Sequence, residues 1–183
     1  MIITSSIYEA AQFLKQGQVL TYPTEAVWGL GCDPYNERAF QDILALKQRP
    51  IEKGVFLLAG HIDQVEHLLD KLTPPLRQQV ITSWTNRQAT ERATTWLLPT
   101  DPSIPKWITG QHPLVAVRVT THPICVELCH AFDGYIVSTS ANPAGLSPAQ
   151  NIDTKLFWGV CAVIKKRFRL KPRTESYFEC LNG

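Results

Sequence analysis

The sequence predicts an α/β fold built on a twisted, mixed β-sheet flanked by helices. Three observations point there. Short apolar runs rich in β-branched residues recur at 19–22, 55–59, 94–98, 114–119, 136–139 and 160–164, with the length and composition of strands. Segments with apolar residues at helical spacing separate most of these runs, so strands and helices alternate along the chain. The whole spans 183 residues, 44% hydrophobic and 19% charged, which suits one domain over 1–183 with a sizeable buried core.

Taken in order, Ser5 or Ser6 caps a first helix with the stripe Ile7, Ala10, Ala11 and Leu14, and Gly17 closes it. The strand at 19–22 stops at Pro23, which has no N–H to give to a ladder, and a loop carrying Thr24 and Glu25 follows. Further along that loop, Gly29 and Gly31 permit backbone angles and close approaches that other residues forbid. Asn36 caps the next helix, whose buried stripe is Phe40, Ile43, Leu44 and Leu46, and Pro50 enforces its stop. A strand at 55–59, a helix at 62–69 and another opening at Pro74 come next. The stretch 85–93 is polar and aperiodic, a surface loop. Strands at 94–98 and 114–119, a helix from Pro123, a strand at 136–139 that runs into a polar loop, and a last strand at 160–164 complete the reading.

Composition excludes several classes. No apolar run approaches the length of a membrane span. The start Met1-Ile-Ile-Thr-Ser-Ser lacks the basic region and cleavage site of a signal peptide, so a cytoplasmic location is expected. Five cysteines, an odd number at irregular spacing, read as reduced thiols. Cys125, Cys129 and His130 fall on one helix without a second pair of ligands, so core packing is expected there and no metal site. Cys32 has no base partner in view and is not read as a nucleophile. The net charge of +2 is uneven: seven of the 18 cations fall between Thr154 and Thr174 with no acid among them. This basic segment, divergent from about residue 165, reads either as a contact for RNA phosphates or as a solvated edge.

Three groups of residues carry candidate chemistry. Lys47 and Arg49 stand two residues apart at a helix end, with Lys53 close behind. A compact ammonium and a planar guanidinium beside a strand-end threonine describe an anion pocket, although cations at a helix C-terminus also simply favour the dipole. Ser138, Ser140 and Asn142 alternate out of a strand into a loop, so their polar groups face one side, as either ligand contacts or turn chemistry. Arg118 lies inside the apolar strand Val115-Ala-Val-Arg-Val and requires a partner there, either a structural ion pair or a ligand. Neither a Walker sequence nor Gly-x-Gly-x-x-Gly occurs.

These same residues carry a resemblance. Tyr22-Pro-Thr-Glu-Ala-Val-Trp-Gly-Leu-Gly-Cys-Asp, Leu46-Lys-Gln-Arg-Pro-Ile-Glu-Lys-Gly, Leu114-Val-Ala-Val-Arg-Val-Thr-Thr-His-Pro and Val137-Ser-Thr-Ser-Ala-Asn-Pro-Ala-Gly resemble the YrdC-like family, and within it the bacterial threonylcarbamoyl-AMP synthases. The resemblance implies a YrdC-like domain with a concave basic cleft. It implies ATP as a substrate, with Mg²⁺, held by Lys47, Arg49, Lys53, Thr109, Ser140, Asn142 and Ser147. Lys47 and Arg49 act on the phosphates as the catalytic pair. Thr24, Arg118 and Ser138 are implied to hold L-threonine. The implied reaction joins L-threonine, bicarbonate and ATP into threonylcarbamoyl-AMP with release of pyrophosphate. That product serves N6-threonylcarbamoyladenosine formation at position 37 of ANN-decoding tRNAs through the TsaD, TsaB and TsaE machinery. A YrdC-like protein that binds tRNA or double-stranded RNA without catalysis is the alternative, and a synthase with a different acceptor is a further one. The chain departs from the family where Trp84 is followed by Thr-Asn-Arg-Gln rather than a Pro-Gly turn, and in its tail, Lys171-Pro-Arg-Thr-Glu-Ser-Tyr-Phe.

Overall fold

The computed structural model describes residues 2–25, 27–48, 55–86, 93–110, 112–142, 162–164 and 176–179. The elements are β1 (Ile2–Thr4), α1 (Ile7–Lys15), β2 (Leu20–Pro23), β3 (Trp28–Cys32), α2 (Glu37–Lys47), β4 (Phe56–Ala59), α3 (Glu66–Leu69), α4 (Pro74–Thr85), β5 (Thr94–Pro99), α5 (Lys106–Thr109), β6 (Leu114–Val119), α6 (Pro123–Phe132), β7 (Ile136–Ser140), β8 (Ala162–Ile164) and β9 (Ser176–Glu179). The strands form one mixed sheet in the order β1-β8-β2-β3-β7-β4-β6-β5-β9. The class is the mixed α/β arrangement that the alternation predicts.

Strand alternation divides the core in two. Leu30, Leu57, Val117 and Val137 face the side covered by α2, α3 and α4, whose Phe40, Ile43, Leu68 and Trp84 complete that cluster. Leu20, Tyr22, Leu58 and Ile136 face the other side, under Ala10, Leu14, Ile124 and Cys129 of α1 and α6. The caps follow the sequence. Ser6 accepts from Glu9 N–H and Asn36 from Ala39 N–H, while α4 and α6 each open on a proline. Gly17, at φ +73°, closes α1.

Strand β2 does stop at Pro23, the proline itself being its last residue, paired with Trp28. One expectation fails around the central hairpin. The presumed loop beyond Pro23 is largely β3, and Gly29 and Gly31 are absent from the glycines with positive φ. Their value lies in close approach. A Cβ on Gly31 would meet Val137 O at 2.6 Å and the Tyr22 ring at 2.8 Å. The expected helix at 62–69 is a 3-10 turn (Ile62–Val65) followed by the short α3. Strands β1 and β9 were not anticipated; β9 comes from the divergent tail and pairs parallel to β5. Of the strand expected at 160–164, residues 162–164 form β8, and most of the loop expected at 85–93 lies outside the described residues. Among the described residues no helix is long and apolar enough to cross a membrane.

Candidate functional site

The β2–β3 hairpin builds the first half of the site. Thr24 closes its tip, with its N–H 3.2 Å and its Oγ1 2.6 Å from Val27 O. Behind the tip, the Tyr22 ring lies against Gly29 and Gly31: a Cβ would be tight at Gly29, 3.1 Å from the ring, and would clash at Gly31, 2.8 Å from it. Its hydroxyl donates to Ser138 Oγ at 2.8 Å. Burial raises the Tyr22 pKa well above the ordinary phenol value, so this donor keeps its proton. Register places Gly31 opposite Ser138 and Gly29 opposite Ser140. Two glycines therefore face two serines across the centre of the sheet.

Lys47 ends α2, yet it is 2% exposed, which removes the solvated helix end as its explanation. Gln48 turns the chain in the left-handed region (φ 47°) immediately after it. Lys47 Nζ donates to Ser140 O, to Asn142 O at 2.9 Å and to Asn142 Oδ1 at 3.4 Å. Ser140 Oγ also donates to Asn142 Oδ1, at 2.6 Å. The cation and the Ser-x-Asn pair, far apart in sequence, thus form one polar cluster at the end of β7.

Arg118 on β6 is 3% exposed. Its Nε donates to Thr95 Oγ1 at 2.8 Å, and its guanidinium carbon lies 4.6 Å from the centroid of the Phe56 ring, a cation–π contact. Phe56 pairs with Ser138 in register, so β4 is the one strand between Arg118 and Ser138. Just past the end of β6, two residues from Arg118, Thr120 Oγ1 donates to Glu25 Oε1 at 2.5 Å and accepts the N–H of His122 at 3.0 Å. That bond ties the hairpin tip bearing Thr24 to the strand end bearing Arg118.

Of the predicted residues, the structure joins Lys47, Ser140 and Asn142 in one cluster, and links Thr24, Ser138 and Arg118 through Tyr22, Phe56 and the Glu25–Thr120 bond. Thr109 stands apart at the end of α5, beside Ile108 and Trp107, which belong to the opposite core from Phe56. Arg49, Lys53, Ser147 and the basic run from 165 to 173 lie outside the described residues. Thr95, Thr120 and His122 were not predicted. For the last two the available signal was their place just beyond Arg118, Thr120 sharing its face of the strand.

The described thiols, Cys32, Cys125 and Cys129, behave as core. Burial pushes the pKa values of Cys32 and Cys125 up, and that of Cys129 up to about 12. Cys125 and Cys129 donate to the carbonyls of Pro23 and Leu58, which matches their predicted packing role. His122 is also buried. Its pKa is lowered from 6.5, chiefly by burial, while the Glu25 carboxylate pulls the other way. Because the folded pKa lies below the unfolded one, His122 favours the folded state fully above about pH 6.5, and that contribution is lost as pH falls through the folded pKa. His122→Asn should therefore flatten the loss of melting temperature on acidification below about pH 6.5. Melting curves across that range check it, and an unchanged slope would contradict it.

A cavity of about 590 Å³ lies elsewhere, lined by Asp33, Asp63, Asp133, Tyr35, Tyr135 and Lys15 among others. It includes none of the predicted site residues, and three carboxylates against one ammonium suit a triphosphate poorly.

Known proteins bear on this arrangement. The Sua5/YciO/YrdC family model, described as "Telomere recombination", matches residues 12–176. The threonylcarbamoyl-AMP synthase of Acinetobacter baumannii (strain AYE) is 70% identical over 151 residues, covering 82% of this chain and 80% of the relative. That of Cellvibrio japonicus is 52% identical over 143 residues, covering 78% and 72%. Among solved structures, P. abyssi Sua5 complexed with L-threonine matches with a TM-score of 0.74 at 25% identity, over 88% of this chain and 48% of that one. This chain thus spans about half the length of that Sua5. E. coli YciO matches with a TM-score of 0.78 at 17% identity, over 99% and 89%, a likeness of fold.

Proposed function

The chain belongs to the Sua5/YciO/YrdC family, and on that premise we propose that it makes threonylcarbamoyl-AMP from L-threonine, bicarbonate and ATP, releasing pyrophosphate. One observation carries this reading. Strand β7 serves both polar clusters, with Ser138 hydrogen-bonded to Tyr22 behind the Thr24 tip and Ser140 held by Lys47. Ser138 and Ser140 lie two residues apart, about 7 Å along a strand and on one face. An amino acid beside Ser138 and a nucleotide beside Ser140 would be neighbours, as the chemistry requires.

In the proposed reaction the threonine amine takes up bicarbonate or carbon dioxide as a carbamate. A carbamate oxygen attacks the α-phosphate, and pyrophosphate leaves. No protein nucleophile is needed; the site supplies position and charge compensation. Arg118 receives the threonine carboxylate, for which a guanidinium fork is well matched, and Thr24 and Ser138 line the same substrate. Lys47, Ser140 and Asn142 face ATP, which enters as its Mg²⁺ complex. By their motif, Arg49 and Lys53 add phosphate-binding charge, and Thr109 and Ser147 line the nucleotide. The product is then consumed in modification of adenosine 37 of tRNA by the TsaD, TsaB and TsaE machinery, in the cytoplasm. An RNA-binding protein without catalysis would need no threonine subsite.

The test is pyrophosphate release with an amino-acid panel. Release should depend on threonine and bicarbonate. Serine, one methyl smaller, should be slower by about 10- to 100-fold, since one methyl is worth only ~1–3 kcal/mol of discrimination. Equal rates with glycine, serine and threonine would overturn the threonine assignment.

A further inference from the structure

Glu25 is held in a way that a turn residue does not require. The Thr120 hydroxyl gives its proton to Glu25 Oε1 at 2.5 Å while accepting the N–H of His122, and Thr120 N–H is itself fixed on Ala59 O at 2.9 Å. Each of these bonds orients the next, so the carboxylate is set by β4, β6 and the start of α6 together. Thr120 lies one residue beyond β6 and is still bonded to Ala59 O at the end of β4, so continuing the strand alternation puts it on the same side as Arg118. The carboxylate and the guanidinium therefore attach to the same side of the same strand end. Cys125, in the first turn of α6, reports on both: Glu25 pushes its thiol pKa up and Arg118 pulls it down. The one buried thiol thus feels both the negative and the positive group, and Glu25 itself adjoins Thr24 in the chain. Glu25 itself is only half-buried, which leaves its carboxylate within reach of a ligand.

An α-amino acid in water is a zwitterion, with an ammonium one carbon from its carboxylate. A site that offers Arg118 alone binds carboxylates in general, hydroxy acids included. One that offers an oriented carboxylate as well selects the amine that must go on to form the carbamate. We propose that Glu25 is the specificity-determining residue that receives the α-ammonium of the amino-acid substrate while Arg118 takes its carboxylate. This rests on the threonine reading above. The contact belongs to the incoming ammonium and not to the carbamate, so it stabilises the bound ground state alone: its loss raises KM for threonine without lowering kcat.

The experiment compares L-threonine with (R)-3-hydroxybutyrate, the same molecule without its amine, by calorimetric binding to the wild type and to Glu25→Gln. The glutamine keeps an acceptor for Thr120, so the hairpin stays tied and the variant should melt like the wild type. Wild type should bind threonine about tenfold or more tightly than 3-hydroxybutyrate, as for a lost hydrogen bond to a charged group. Glu25→Gln should weaken threonine by a similar factor and leave 3-hydroxybutyrate unchanged. Equal weakening of both ligands, or threonine binding at the wild-type level, would reduce Glu25 to a structural tie and overturn the proposal. Equal affinity of the wild type for the two ligands would overturn it without any variant. If the wild type binds neither, the threonine reading itself fails, and the Glu25 assignment goes with it.

Discussion

Gly31→Ala should destabilise this protein more than its single added methyl suggests. The new Cβ would lie 2.6 Å from Val137 O and 2.8 Å from both Tyr22 Cε1 and Oη. The carbonyl belongs to the neighbouring strand β7 and cannot move without opening the pairing of Gly31 with Ser138. Tyr22 cannot move without leaving its bond to Ser138. Overpacking of this kind costs about 1–3 kcal/mol. At roughly 2–4 °C per kcal/mol for a domain of this size, thermal melting should fall by several degrees. Activity should fall with it, because the displaced ring supports the Thr24 tip and Ser138 together. Gly134→Ala is the matched control: its nearest new contact would be Phe132 Cδ1 at 3.9 Å, an ordinary packing distance. Equal melting temperatures for the two variants would show that β3 does not approach β7 as closely as this geometry requires.

Lys47→Ala should carry the second large effect, and it should appear in two places. In the fold, Ser140 O and Asn142 O lose a buried charged donor, and leaving such acceptors unsatisfied costs about 1–3 kcal/mol. In the reaction, loss of an ammonium beside the phosphates should lower turnover by a factor on the order of 10²–10³, as for other donors to developing charge. Lys47→Arg should not restore either, since a planar fork cannot converge on the three oxygens that a tetrahedral ammonium reaches. Melting curves and calorimetric ATP titration of the same preparations separate the two effects. A variant with lowered stability but wild-type ATP affinity would make Lys47 a clamp on β7 and remove it from the nucleotide site.

Much of this architecture is legible in the chain because it depends on local rules. The stripes of α1 and α2, the caps at Ser6 and Asn36 and the proline starts of α4 and α6 are written within a few residues of where they act. Strand β3 is less so: Trp28, Leu30 and Cys32 alternate into one core, but the intervening positions are glycines, residues that signal a loop as readily as a strand; what specifies them is a tyrosine ring from the paired strand. The same limit applies at the site. That Lys47 and Arg118 matter is readable from residue type and motif, but their partners lie 93 to 95 and 23 residues away. Sequence spacing cannot tell a helix-end cation in water from one buried on carbonyls of another strand. Glu25 stood in the predicted binding loop without a role, since Thr120 reaches it only across the folded sheet.

The most direct test of the central claim is to follow ¹³C-bicarbonate into product. The protein would be incubated with ATP, Mg²⁺, threonine and labelled bicarbonate, and the adenylates resolved by mass spectrometry. The account predicts one adenylate that carries both the threonine mass and the labelled carbon, formed in step with pyrophosphate. An AMP–threonine adduct without the label, or no adduct at all while ATP and threonine remain bound, would contradict it.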